Sequence, residues 1–191
     1  MLKAFKTEIN PTESQKQKIN QGIGVCRYLY NSYLAKNQEL YKQYKDGLID
    51  KKQAFMSAND FDKYINHEVK TLEGYIWINS CGSKSRKKSI CNAETAFKRF
   101  FKGESKFPKF KKKKNQDVKM YFPKNNKTDW KVERHKINIP TLGWVYLKEK
   151  GYKVYYLSQN LEHFFHDKFI MYCIHSFINI FLSYEYCNTN F

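Results

Sequence analysis
The chain has 191 residues, enough for one domain or two small ones with a real core. Thirty-five Lys and Arg stand against 18 Asp and Glu, a formal charge of +17. That charge stores repulsion unless a polyanion relieves it: nucleic acid first, since each neutralised phosphate releases a counterion, and an anionic membrane surface second.

The charge is unevenly spread. Residues 153–191 hold Lys153 and Lys168 against Glu162, Asp167 and Glu185, while residues 1–152 hold 33 bases and 15 acids, a net of +18. The last stretch is aromatic instead, with 11 of the 33 Phe, Trp and Tyr residues. The five cysteines, Cys26, Cys81, Cys91, Cys173 and Cys187, are odd in number and include no C-x-x-C pair. A disulfide framework or zinc ribbon would need tighter spacing, so free thiols in a reducing cytosol are expected. The opening Met1-Leu2-Lys3-Ala4-Phe5-Lys6 lacks the apolar run of a signal peptide, and Phe169–Leu182 falls short of a bilayer span. A cytoplasmic protein is the expectation.

In chain order, residues 2–9 alternate as a short strand. Asn10-Pro11-Thr12 breaks it, and Thr12 is a good N-cap for a helix over 13–45. In that helix Ile19, Ile23, Cys26, Tyr30, Tyr33, Leu34, Leu40, Tyr41 and Tyr44 recur at helical spacing, with a bend or break expected at Gly22 and Gly24. Asp46-Gly47 marks a turn. Helices are expected over 51–66 and 75–101, the second weakened at Cys81-Gly82-Ser83 and ended by Gly103. Short strands are expected over 118–123, 131–133, 136–140 and 142–147, separated by turns that include Arg134-His135 and Pro140-Thr141-Leu142-Gly143. The tail from Lys153 has no clear period.

The order strand, helices, strands predicts an α+β fold. Its core would be a small wedge-like β-barrel formed by strands from both ends and interrupted by a helical insertion. The tail would be irregular or helical. The expected division is barrel parts at 1–10 and 117–152, a helical recognition region at 11–103, a basic linker at 104–116 and an aberrant tail at 153–191.

Several clusters could hold nucleic acid. In Phe97-Lys98-Arg99-Phe100-Phe101-Lys102-Gly103 and Lys106-Phe107-Pro108-Lys109-Phe110-Lys111, bases alternate with rings. Lys98, Arg99, Lys102, Lys106, Lys109 and the run Lys111, Lys112, Lys113, Lys114 can meet phosphates, while Phe107 and Phe110 can stack on bases. Phe97, Phe100 and Phe101 read as core. Lys84, Arg86, Lys87 and Lys88 form a second basic cluster, equally readable as a solvated surface. Arg134, His135 and Lys136 sit at a turn, where they could grip phosphate or form an ordinary hairpin tip.

Catalytic readings are weak. His67-Glu68 has no second His at i+4, and Asp60 and Asp62 point to different helix faces. The group His163, His166, Asp167, Cys173 and His175 lacks the turn chemistry that would converge metal ligands. No glycine-rich phosphate loop and no carboxylate triplet for a two-metal nuclease are legible. No cofactor is expected.

Five motifs in order carry a family resemblance. Lys3-Ala4-Phe5-Lys6 with Asn10-Pro11-Thr12-Glu13-Ser14-Gln15 resembles the K-x-Y-P-T-x-x-Q start of the TnpB/OrfB proteins of insertion sequences. Cys26-Arg27-Tyr28-Leu29-Tyr30-Asn31 resembles their C-R-F-V-Y-N helix. Ala96–Gly103 and Phe107–Lys111 resemble A-F-x-x-F-F and F-P-R-F-K, and Arg134–Val145 resembles the I-x-x-P-x-L-G-W-V strand pair.

The resemblance implies the N-terminal half of a transposon-encoded, RNA-guided DNA nuclease related to type V CRISPR effectors. That half binds guide RNA and target-adjacent DNA and includes the transposase helix-turn-helix, which adds Arg27, Tyr30 and Asn31 to the candidate contacts. Target sequence would be read by base pairing, with the protein holding backbone and shape. The family's RNase H-like nuclease and paired-cysteine zinc ribbon have no counterpart in these residues, so binding without cleavage is expected. The resemblance stops near Tyr152, and the tail reads as a frameshift product. The alternative is a membrane-surface or RNA-binding accessory protein unrelated to transposition.

Overall fold
The computed structural model describes residues 5–113, 119–124, 131–148, 169–174 and 179–184. Their contacts divide the chain into two compact units, Met1–Gln21 with Lys119–Phe191, and Gly22–Val118. The division falls inside the first helix.

The first unit is built on a sheet. Strands β1 (Phe5–Asn10), β2 (Lys119–Lys124), β3 (Lys131–Glu133), β4 (Lys136–Ile139), β5 (Gly143–Leu147), β6 (Phe169–Ile174) and β7 (Asn179–Tyr184) lie in the order β2-β6-β7-β1-β5-β4-β3. The described neighbours pair antiparallel, with Ile9 opposite Leu147 and Ile137 opposite Val145. Ile9, Ile137, Ile139, Val145 and Leu147 are buried, while Trp144 and Tyr146 face out. This period-two alternation fixes the register, because a one-residue slip would turn the apolar set to water.

Strands from both ends of the chain do share one sheet, and the α+β class holds. The sheet is not closed into the expected barrel: β2 and β3 are its two edges and do not pair with each other. Closure would need those edges to meet. The tail also differs from the expected irregular or helical chain. Phe169–Ile174 and Asn179–Tyr184 are strands, paired with β2 and β1 respectively and with each other. Their Phe, Ile and Tyr residues suit strands, and the pairing partners lie elsewhere in the sequence, where a local period cannot reveal them.

Helix α1 (Glu13–Lys45) begins on a capping box. The Thr12 N–H donates to Gln15 Oε1 at 3.0 Å, and the Gln15 N–H donates to Thr12 Oγ1 at 3.3 Å. The Gln15 amide then donates to the carbonyls of Leu142 and Trp144, at 3.2 and 2.8 Å. One side chain so closes the helix start and ties it to the β4–β5 turn. The helix runs unbroken through Gly22 and Gly24, against expectation. A helical glycine costs about 1 kcal/mol, and the buried Ile23, Val25, Cys26 and Leu29 around them outweigh it. Gly47 ends α1 at φ 72° and Gly103 ends α3 (Ser83–Phe101) at φ 75°. In both, the glycine amide and the next one fold back on the last turn, as Gly103 N to the Phe100 carbonyl and Glu104 N to that of Arg99.

The second unit packs α1, α2 (Ala58–His67) and α3 around Leu29, Tyr33, Phe61, Ile65, Ile78, Ile90 and Phe97. The helix expected from residue 51 starts seven residues later. The Tyr33 hydroxyl donates to the Met56 carbonyl at 2.9 Å, and the Met56 N–H donates to Asn37 Oδ1 at 2.8 Å. Those bonds engage the backbone at Met56 just ahead of the Ser57 N-cap. The helix expected over 75–101 is split. Glu73–Ser80 is a 3-10 helix, and Cys81-Gly82 separates it from α3.

Candidate nucleic-acid interface
Helix α3 sorts the basic residues by phase. At 100° per residue, positions 84, 87, 88, 98 and 102 fall within one face, and position 86 falls on the opposite one. Lys84, Lys87, Lys98 and Lys102 are exposed and Lys88 is half-buried. Eighteen residues of helix place Lys84 and Lys102 about 27 Å apart along a single stripe. Lys98 shares its charge with Glu94 at 2.9 Å. Arg99, also exposed, borders the stripe.

Arg86 corrects the sequence reading. It is only 6% exposed. Its guanidinium donates to the Ile78 carbonyl, Asn79 Oδ1 and Asn66 Oδ1 at 3.3–3.5 Å. A buried cation is retained only where acceptors surround it, and the ring of amide oxygens does that. Arg86 ties α3 to α2 and the 3-10 segment and offers no phosphate contact.

After Gly103 the chain returns along α1. Asn31 bonds both backbone groups of Lys111: the Lys111 N–H donates to Oδ1 at 2.8 Å, and Nδ2 donates to the carbonyl at 3.0 Å. Lys111 Nζ lies 5.5 Å from the Tyr30 ring centroid, a cation–π contact. Arg27, one turn before Asn31, shares that stripe of α1. The candidates Tyr30 and Asn31 thus act on the basic segment, holding it in place. Along it, Lys106, Phe107, Lys109, Phe110, Lys112 and Lys113 are exposed and Pro108 is buried. Phe107 leans edge-on against Phe97 and Phe100, at 5.7 and 5.1 Å between centroids. Phe110 is 48% exposed. Gln38 and residues 107–112 line an open concavity. Lys114 lies outside the described residues. Of the three rings read as core, Phe97 is buried, Phe100 half-buried and Phe101 64% exposed.

The sheet unit carries its own cluster at the β3–β4 turn. Arg134 is exposed. Lys136 pairs with Glu133 at 3.0 Å and lies 4.6 Å from the Trp144 ring centroid, so much of its charge is engaged locally. His135 is half-buried, its carbonyl accepts from the Leu147 N–H at 2.9 Å, and its Nδ1 has no partner among the described residues.

Among the described residues no group of three or more His, Cys, Asp or Glu could hold a metal ion, and no helix is long and apolar enough to cross a membrane. The metal group drawn from residues 163–175 falls mostly outside them.

Residues 1–46 match the helix-turn-helix domain of OrfB proteins of the IS605 type. Over this first quarter the chain is similar to those insertion-sequence proteins. The matched residues hold β1 and the single helix α1. InsQ of Escherichia coli (strain K12), named provisionally as an RNA-guided DNA endonuclease, is 28% identical over 144 residues, covering 75% of this chain and 33% of InsQ. The virulence protein VsdF of Salmonella dublin is 28% identical over 115 residues, covering 59% of this chain and 95% of VsdF. The chain therefore spans about a third of InsQ and nearly all of VsdF.

In the sequence the two halves of the α3 stripe stand ten residues apart and read as separate clusters. Helical phase, counted from 84 to 102, is the signal that joins them.

Proposed function
We infer that this chain is a nucleic-acid-binding part of a transposon-encoded, TnpB/OrfB-type protein, engaging guide RNA and target-adjacent DNA. It binds without cutting. The observation that carries the reading is the Asn31 clamp on Lys111, which holds a segment of alternating lysines and phenylalanines against α1 with its charges and rings facing out. Lysines there neutralise phosphates, and Phe107 and Phe110 offer faces for unstacked bases. The lysines of α3 extend the same chemistry along a second track. The likeness to InsQ supplies the RNA-guided context.

The test is binding to a structured RNA and to duplex DNA, followed by fluorescence anisotropy over a range of salt. Affinity should fall steeply with salt for both. Replacing Lys111–Lys114 with Ala should weaken binding broadly and flatten the slope by about one unit per lost phosphate contact. An unchanged slope removes that run from the interface. Cleavage of DNA with magnesium or manganese present would overturn the binding-only reading.

A further inference from the structure
Two thiols meet inside the helical unit. Cys26 Sγ on α1 and Cys81 Sγ, in the break before α3, lie 3.9 Å apart across 55 residues of sequence. Both are buried, at 0% and 2% exposure. Each is within hydrogen-bond reach of the other, and Cys26 Sγ also lies 3.8 Å from the Ser85 carbonyl. A disulfide needs its sulfurs about 2.05 Å apart, so closure calls for a movement of about 2 Å. Side-chain rotation at Cys81, in a short irregular joint between two helical segments, can supply it.

We propose that Cys26 and Cys81 are a reversible dithiol–disulfide pair, an oxidation site that takes a hydroperoxide or a small-molecule disulfide as oxidant.

The surroundings divide the roles. The hydrogen bond from Cys26, with the buried Arg86 guanidinium nearby, holds the Cys81 thiol below its ordinary value despite burial. The contact with Cys81, together with burial, pushes the Cys26 thiol up. Cys81, which lies in the joint between the 3-10 segment and α3 and has the lower thiol, is the attacking sulfur. With a hydroperoxide, the Cys81 thiolate attacks the peroxide oxygen and becomes a sulfenic acid, and the O–O bond breaks to release water or an alcohol. The Cys26 thiol then attacks the sulfenic sulfur and expels water. Two thiols lose two electrons and two protons, and one peroxide is reduced. With a small disulfide, Cys81 first forms a mixed disulfide, from which Cys26 displaces the second thiol. Access comes through local opening at the Cys81-Gly82 joint. The product staples α1, which carries the Asn31 clamp, to the start of the lysine-bearing α3.

The full chain would be treated with hydrogen peroxide or oxidised glutathione, acid-quenched, denatured, alkylated, digested and mapped by mass spectrometry. The expected result is a peptide pair joined through Cys26 and Cys81, two hydrogens lighter than the free thiols and lost on reduction, with Cys91, Cys173 and Cys187 alkylated. Cys26→Ser should abolish the link and leave Cys81 as a sulfenic acid or a mixed disulfide. Full alkylation of both Cys26 and Cys81 in the oxidised wild-type chain, or linkage of either to another cysteine, overturns the proposal. Because the mapping is done on the wild-type protein, a variant that fails to fold does not blunt it.

Discussion

Single residues carry two opposite roles within the basic sequence, and substitutions separate them. Arg86 sits in a run with Lys84, Lys87 and Lys88, yet is itself buried and donates to three oxygen acceptors. Arg86→Met removes the bonds that tie α3 to α2 and to the 3-10 segment, a loss of about 1–3 kcal/mol for hydrogen bonds made by a charged group. The denaturation midpoint should fall while the salt slope of nucleic-acid binding stays the same. A flatter slope with unchanged stability would return Arg86 to the interface. Composition could not make this distinction, because a charged run on a helix has no inside until the helix finds a partner. Asn31 shows the same limit. Its place in a motif was legible, but its grip on Lys111, 80 residues away, is a tertiary contact.

At the scale of elements, signals that act over three or four residues were legible. Thr12 as N-cap, Gly47 and Gly103 as helix ends, and the strand pair around Pro140–Gly143 all follow from local backbone chemistry. Where elements are tied by distant groups, boundaries moved. The start of α2 is one such place, since Glu94 on α3 accepts from the Ala58 N–H at 3.0 Å. Burial raises the Glu94 carboxyl, but the bonds from Lys98 and Ala58 outweigh it and leave the group below its ordinary value. A carboxyl lowered by folding stabilises above its unfolded value, and that contribution is lost as pH falls through the folded value. Glu94→Gln should therefore lower stability near neutrality by about 0.5–1 kcal/mol, the worth of a charge at a helix N-terminus. The gap between the two proteins, measured by urea titration, should close as pH drops below about 4.5. A gap that persists in acid would mean the loss is steric.

Across the whole molecule, the +17 charge works against the compact state. The lysines of α3 and of the clamped segment are largely exposed, and repulsion among like charges is relieved by counterions or by a polyanion. A ligand that binds only the folded chain adds stability by mass action, about 2.7 kcal/mol at a hundred times its dissociation constant. Duplex DNA or structured RNA should accordingly raise the melting temperature by several degrees at low salt. Sodium chloride raised to the same cation concentration should raise it less, since screening lacks the fixed geometry of phosphates along the lysine stripe. Adding salt to the nucleic-acid complex should then lower the melting temperature as contacts are lost. Scanning calorimetry across a salt series with and without nucleic acid measures all three trends. Equal gains from salt and from nucleic acid would reduce the lysine tracks to a solvated surface and leave the charge without a specific partner.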